Sequence, residues 1–264
     1  MTPERPSDPS PREILVEGHR VCLTDEGRGP VLVALHGLPG GARDWRWLAP
    51  ALTGVRFLRL ELPGFGGTPR EAMPDPGFEA RARWVLDVMT ALGVERFAVV
   101  GHSIGGPLAM AVAALAPGRV SGLALVASVG LSEHVGYRRA KPMRRLAPLI
   151  AVPGVSRLMR PVLRKAFSRF GFRGHPDEAL IHTLRIVAAL GFVKNRELAS
   201  RVAAPTLVAW TADDPIVEAR VGQELAAALP EGPRLRFETG GHNLQKSQAV
   251  ELGAALSGWL ATLP

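Results

Sequence analysis

Two hydrophobic rhythms alternate along the chain. Short, nearly continuous apolar runs, VLVALHG (31–37), RFLRLELPG (56–64), RFAVVGHS (96–103), SGLALVAS (121–128), APTLVAW (204–210) and RLRFET (234–239), are β-rich, and most end in Gly, His, Ser, Pro or Asp. Between most of them lie helix-compatible stretches: WRWLAPALT, FEARARWVLDVMTALG, PLAMAVAALAPG and VGQELAAALP. Strands this continuously apolar, separated by helices, predict an α/β fold: a mostly parallel central sheet with helices on both faces. Ahead of them, EILVE and RVCLT flank Gly-His and predict an antiparallel hairpin over residues 13–24. In open sheets of this kind the site lies beyond the carboxyl ends of the strands.

The alternation is interrupted once, and the interruption predicts a helical lid over residues 131–202, set into a core of residues 13–130 and 203–264. Within the lid, Val155, Leu158, Met159, Val162, Leu163, Ala166, Phe167 and Phe170 follow helical spacing, with Arg157, Arg160, Arg164, Lys165 and Arg169 on the other face. Pro161 is expected to break or kink that helix. Such a face packs its apolar side on the core and solvates its charges; a weak contact with an anionic membrane surface is the alternative use.

Charge sharpens this division. The net charge is +8, yet residues 131–200 carry fourteen Lys/Arg against four Asp/Glu, so the basicity belongs to one segment and the remainder is slightly acidic. No aromatic platform or reading motif accompanies it, which argues against nucleic acid as a partner. The lone cysteine, Cys22, points to a reducing compartment and a core position. Residues 1–12, rich in Pro, Ser and charge, read as a disordered leader without the apolar run of a secretory signal. No stretch approaches the length of a membrane span, and the expected location is the cytoplasm.

The chemistry centres on GHSIGG (101–106), between an apolar strand and a helix-like run. Gly101-His102-Ser103-Ile104-Gly105 fits G-x-S-x-G, in which a sharp strand-to-helix turn lifts the serine at the strand's carboxyl end. Glycines on either side suit a strained backbone and close strand-helix packing, and Pro107 fits the first helical turn. A serine hydroxyl needs a base, and the base an orienting carboxylate. Downstream, TADDPIVE supplies Asp213 and Asp214 after one strand, and GGHNLQ supplies His242 after another. An oxyanion needs two N–H donors: Ile104 N–H at the helix start is one, and Leu38 N–H in HGLPGG (36–41) is the natural second.

With these motifs the chain resembles the α/β-hydrolase superfamily, in its lid-bearing serine hydrolase branch. HGLPG, ELPGFGGT, GHSIGG, PTLVAWTADDPIV and GGHNLQ carry the resemblance, which spans essentially all of the chain except the leader; the lid carries no matching motif. The family's acid usually lies three residues after a glycine; Thr211 replaces that glycine here, and the third residue on is Asp214, preferred over Asp213. A serine at 103 argues against the relatives of this fold that attack with Asp, the haloalkane dehalogenases and epoxide hydrolases. The resemblance implies an acyl-enzyme at Ser103, with His242 moving the proton and Asp214 holding its tautomer, and no cofactor or metal. It implies a carboxylesterase-like enzyme for esters or thioesters of small, largely apolar acids. The runner-up is a C–C bond hydrolase acting on ring-cleavage products, with the basic lid holding the substrate carboxylate; a non-catalytic binding member of the fold comes third.

Overall fold

Strands form where the apolar runs predict them. In this computed structural model, which describes residues 8–145, 148, 153–169 and 174–264, they are β1 (Arg12–Val16), β2 (His19–Gly27), β3 (Val31–Leu35), β4 (Arg56–Leu60), β5 (Phe97–His102), β6 (Val120–Val126), β7 (Thr206–Thr211) and β8 (Arg234–Phe237). They make one eight-stranded sheet in the order β1-β2-β4-β3-β5-β6-β7-β8. β2 runs antiparallel to β1 and β4, and all pairs from β4 through β8 are parallel. The β1–β2 hairpin closes on Glu17-Gly18, both with positive φ (48° and 79°), a pair of angles whose twist matches the flanking strands.

The sheet is buried on both faces, which explains the unbroken apolar runs. Alternate residues of one strand feed different cores: Val33, Leu35, Val99 and Val208 on one face, Leu32, Ala34, Val100 and Leu207 on the other. The first face is covered by α1 (Phe78–Ala91), α2 (Gly105–Leu115) and, across β7, by the helix over Ala219–Ala228, labelled α8 below. The second is covered by the C-terminal helix over Ala249–Leu260, α10 below, through Leu252, Leu256 and Trp259. Helix α2 is buried nearly all round, as the apolar PLAMAVAALA requires.

Between β6 and β7 the chain forms α3 (Val135–Arg139), α4 (Lys141–Arg145), α5 (Pro153–Arg169), α6 (Asp177–Ala188) and α7 (Phe192–Ala199). The short α9 (Leu244–Ser247) precedes α10. Leu163 and Phe167 of α5 pack with Leu180, Ile181 and Leu184 of α6 in a separate small core. Arg164 and Arg160 cross the same pair of helices to Asp177 and Glu178.

Three expectations differ from what forms. WRWLAPALT (45–53) gives no α-helix: the 3-10 turn Ala42–Trp45 leads into it and a second, Ala49–Ala51, lies within it. Pro50 has no N–H to give, and the segment is too short to nucleate a longer helix. Helix α5 runs through Pro161, so of the expected break or kink the break does not occur. Pro161 is exposed, so water can take up the carbonyl left free one turn earlier. The apolar stripe of α5 also divides: Leu163 and Phe167 are buried, whereas Leu158 and Val162 face solvent. Phe170 and residues 1–7 of the expected leader lie outside the described residues. Asp8 lies 2.8 Å from the buried guanidinium of Arg59, and Arg12 already belongs to β1. Among the described residues no helix is long and apolar enough to cross a membrane.

Candidate active site

Ser103 sits in the turn between β5 and α2 with φ of 54°, in the left-handed region that a residue with a Cβ seldom adopts. Its backbone is held from both sides: Ser103 N–H donates to the Val126 carbonyl, and Gly106 and Val129 N–H donate to the Ser103 carbonyl. The flanking glycines are required by close approach. A Cβ on Gly101 would collide with the Gly105 carbonyl, and one on Gly105 with the Leu35 carbonyl.

The parallel strands bring three distant segments to the same edge of the sheet. β5 ends at Ser103, β7 leads to Asp214, and β8 leads to His242. His242 Nε2 lies 2.8 Å from Ser103 Oγ, and His242 Nδ1 lies 2.8 Å from Asp214 Oδ2. The other carboxylate oxygen of Asp214 accepts Ile216 N–H (2.8 Å) and Val217 N–H (2.9 Å), so Asp214 is fixed in place. Asp213 does something different: it accepts Gly241 and Gly240 N–H, which hold its carboxyl below the usual range and tie down the loop carrying His242. With an acceptor carboxylate at Nδ1, the imidazole carries its proton there and offers Nε2 as acceptor to the serine hydroxyl.

Two further histidines brace this arrangement. His102 Nε2 donates to the His242 carbonyl (2.8 Å), and burial pushes the His102 pKa down to about 3, so it stays neutral. His36 is fully buried; Leu62 N–H donates to its Nε2 (3.1 Å), which leaves Nδ1–H to donate to the Gly37 carbonyl (2.7 Å). That bond anchors the loop whose next residue is Leu38. Neither Leu38 N–H nor Ile104 N–H has a backbone partner among the described residues, and both residues line the cavity in front of Ser103.

Ser103 opens on two cavities of opposite character. One, of about 100 Å³, is apolar and roofed by the helices between β6 and β7, through Tyr137, Met143, Phe167, Leu184 and Leu190. No Lys, Arg, Asp or Glu lines it among the described residues. Its hydroxyls are committed, Thr183 to the Ala179 carbonyl and Tyr137 to the Leu190 carbonyl. His134 is the exception: it is 6% exposed, its Nδ1 has no partner, and burial lowers its pKa to about 4. The second cavity, about 280 Å³, is polar, with Asp44, His102, His175 and Asn243 around Ser103 and His242. Sequence reasoning missed His134 and His175, because a single histidine in a connecting segment carries no signal until the fold brings that segment to the site. Among the described residues no group of three or more His, Cys, Asp or Glu is placed to hold a metal ion.

Known proteins agree with this architecture. Over 96% of this chain and 70% of the other, it is 30% identical to a dihydrolipoyllysine-residue acetyltransferase component of the acetoin cleaving system of Pseudomonas putida. It is 36% identical to a 2-hydroxymuconate semialdehyde hydrolase of Pseudomonas putida over 53% of this chain and 54% of that protein. The enol-lactonase of Burkholderia xenovorans LB400 superposes with a TM-score of 0.73 at 22% identity, covering 95% of this chain and all of the other, a likeness of fold. The family profile described as alpha/beta hydrolase fold matches residues 30–150, and with a relative 30% identical over 96% of this chain and 70% of its own length, the chain belongs to the alpha/beta hydrolase family.

Proposed function

We propose that the protein is a serine hydrolase that cleaves esters or thioesters of short, apolar acids through an acyl-enzyme on Ser103. The observation that carries this reading is the hydrogen-bonded chain Ser103–His242–Asp214, which opens on an apolar cavity without a charged lining residue among the described ones. As Ser103 Oγ attacks the carbonyl carbon, its proton passes to His242 Nε2, and Asp214 stabilises the imidazolium. The oxyanion forms against Leu38 and Ile104 N–H, fixed donors that need no reorganisation. His242 then protonates the departing alcohol or thiol, and water, deprotonated by the same nitrogen, releases the acid.

The cavity also limits the acyl group. An apolar cavity of about 150 Å³ holds a benzene ring, so about 100 Å³ suits an acyl chain of roughly three to five carbons. The acetyltransferase relative handles a still smaller acyl group by its name, which agrees with this limit. The 2-hydroxymuconate semialdehyde hydrolase relative favours C–C bond cleavage as the second reading. That reading calls for a cation beside the substrate carboxylate; none lines the apolar cavity among the described residues, and Arg43, Arg46 and Lys246 line a cleft that adjoins only the polar one. A fluorophosphonate probe is expected to label the wild-type protein and not Ser103→Ala, and short p-nitrophenyl esters to be turned over in preference to a dienoate. Equal labelling of both proteins would overturn the reading; preference for the dienoate would establish the second.

A further inference from the structure

The polar cavity does not end at the active site. Asp44 and Asn243 line both it and a neighbouring cleft of about 130 Å³, whose remaining walls are Arg43, Arg46, Trp47, Gln245 and Lys246. None of the three cations has an ion-pair partner among the described residues; the Arg46 guanidinium donates to the Arg43 carbonyl (3.3 Å). The one acid in the cleft, Asp44, accepts Gly41 N–H (3.0 Å) and offsets only part of the charge. The Trp47 ring gathers the Arg46 guanidinium (5.4 Å from the centroid) and the Lys246 ammonium (5.5 Å) beside the same cleft. The buried Nε of Arg46 is a donor without a partner among the described residues. Arg43 and Lys246 are exposed, so water screens part of their repulsion, and an anion entering the cleft would relieve the rest.

Position says which anion. Asp44 and Asn243 join the cleft to the polar cavity that holds Ser103 and His242, so the cleft adjoins the place where His242 would protonate a departing group. Several cationic N–H donors around a small cleft match the three oxygens of a phosphate. Resting on the hydrolase reading above, we infer that this cleft binds a phosphate carried by the leaving group. The substrate is then a short acyl group joined to a phosphorylated alcohol or thiol. Hydrolysis breaks the acyl–oxygen or acyl–sulfur bond; the hydroxide of water joins the acyl carbon, and its proton goes to the leaving oxygen or sulfur.

Two matched substrate pairs test this, each differing by one phosphate: 1-butyrylglycerol 3-phosphate against 1-butyrylglycerol, and S-butyryl-4′-phosphopantetheine against S-butyrylpantetheine. In at least one pair the phosphorylated member is expected to show about tenfold or higher kcat/KM, mostly through KM, falling as salt rises from low to physiological strength. In the double variant Arg43→Gln, Lys246→Gln, checked by its thermal melt, the preference collapses toward one. Inorganic pyrophosphate should inhibit p-nitrophenyl butyrate hydrolysis by the wild type competitively. Pyrophosphate inhibition without preference in either pair would make the cleft a free-anion site and overturn the inference, as would a preference that survives the double variant. Failure to turn over even the unphosphorylated members would instead overturn the hydrolase reading itself.

Discussion

Under the proposed placement of the acyl chain in the apolar cavity, shortening Leu184 on α6, which lines that cavity, should lengthen the preferred acyl chain. Its side chain is 2% exposed, packs with Leu163, Phe167, Leu180 and Ile181, and lines the cavity of about 100 Å³ in front of Ser103. Leu184→Ala removes three carbons from the wall. Each methylene that a longer substrate then buries is worth about 0.8 kcal/mol, so three give roughly 2.4 kcal/mol, or about fifty-fold in kcat/KM relative to the wild type for that chain length. The same truncation costs the free enzyme about 2–4 kcal/mol of stability, because the small core between α5 and α6 relaxes only in part. The assay is a series of p-nitrophenyl esters of increasing acyl length, run on both proteins below the onset of a cooperative thermal melt. The wild type should peak at a short chain and the variant about two to three carbons later. An unchanged optimum in a folded variant would refute the placement of the acyl chain beneath α6.

The two adjacent aspartates should separate cleanly. Asp214→Asn, which loses the carboxylate facing His242, should lower kcat by about 10⁴-fold, whereas Asp213→Asn, which only loosens the loop, should cost a few-fold; equal losses would contradict the geometry. Acid should destabilise the fold early. Burial lowers His102 to about 3 and His134 and His182 to about 4, so below the unfolded value of about 6.5 the unfolded chain takes up protons that the native state refuses. Their contribution is whole above about pH 6.5 and is lost as pH falls toward 4, by about 1.4 kcal/mol per pH unit for each proton; urea titrations at pH 7.5 and 5 with equal midpoints would refute this. Arg81 is 1% exposed with both terminal nitrogens unpartnered among the described residues, and burial depresses its pKa to about 10. Arg81→Met should therefore hold or raise the melting temperature, the gain reaching about 1–4 kcal/mol, and a large fall would show that the guanidinium has a partner in solution.

The strand pattern was legible because each parallel strand is buried on both faces, which leaves a continuous apolar run that only turn residues interrupt. The GHSIGG turn was legible for a local reason: left-handed backbone at Ser103 and the close approach of Gly101 and Gly105 constrain neighbouring residues directly. Elements that depend on their surroundings were less legible. WRWLAPALT is helix-compatible in sequence but forms a 3-10 turn over Ala49–Ala51, and Pro161, expected to break or kink its helix, does not break it. Leu158 and Leu163 belong to one apolar stripe in sequence, yet one faces water and the other a neighbouring helix.

By itself, then, the sequence determined the α/β alternation and supplied Ser103, Asp214 and His242 each just beyond an apolar run. Tertiary structure decided what those ends face. The order β5-β6-β7-β8 brings residues 103, 214 and 242 into one hydrogen-bonded chain. The same packing turns His134 inward, divides the space before Ser103 into an apolar and a polar cavity, and gathers Arg43, Arg46 and Lys246 across some two hundred residues of chain into one cleft. Local patterns record backbone geometry and one-residue burial, because adjacent atoms impose them. Cavity shape and charge clustering arise from contacts between segments far apart in sequence, and no short window of residues contains both sides of such a contact.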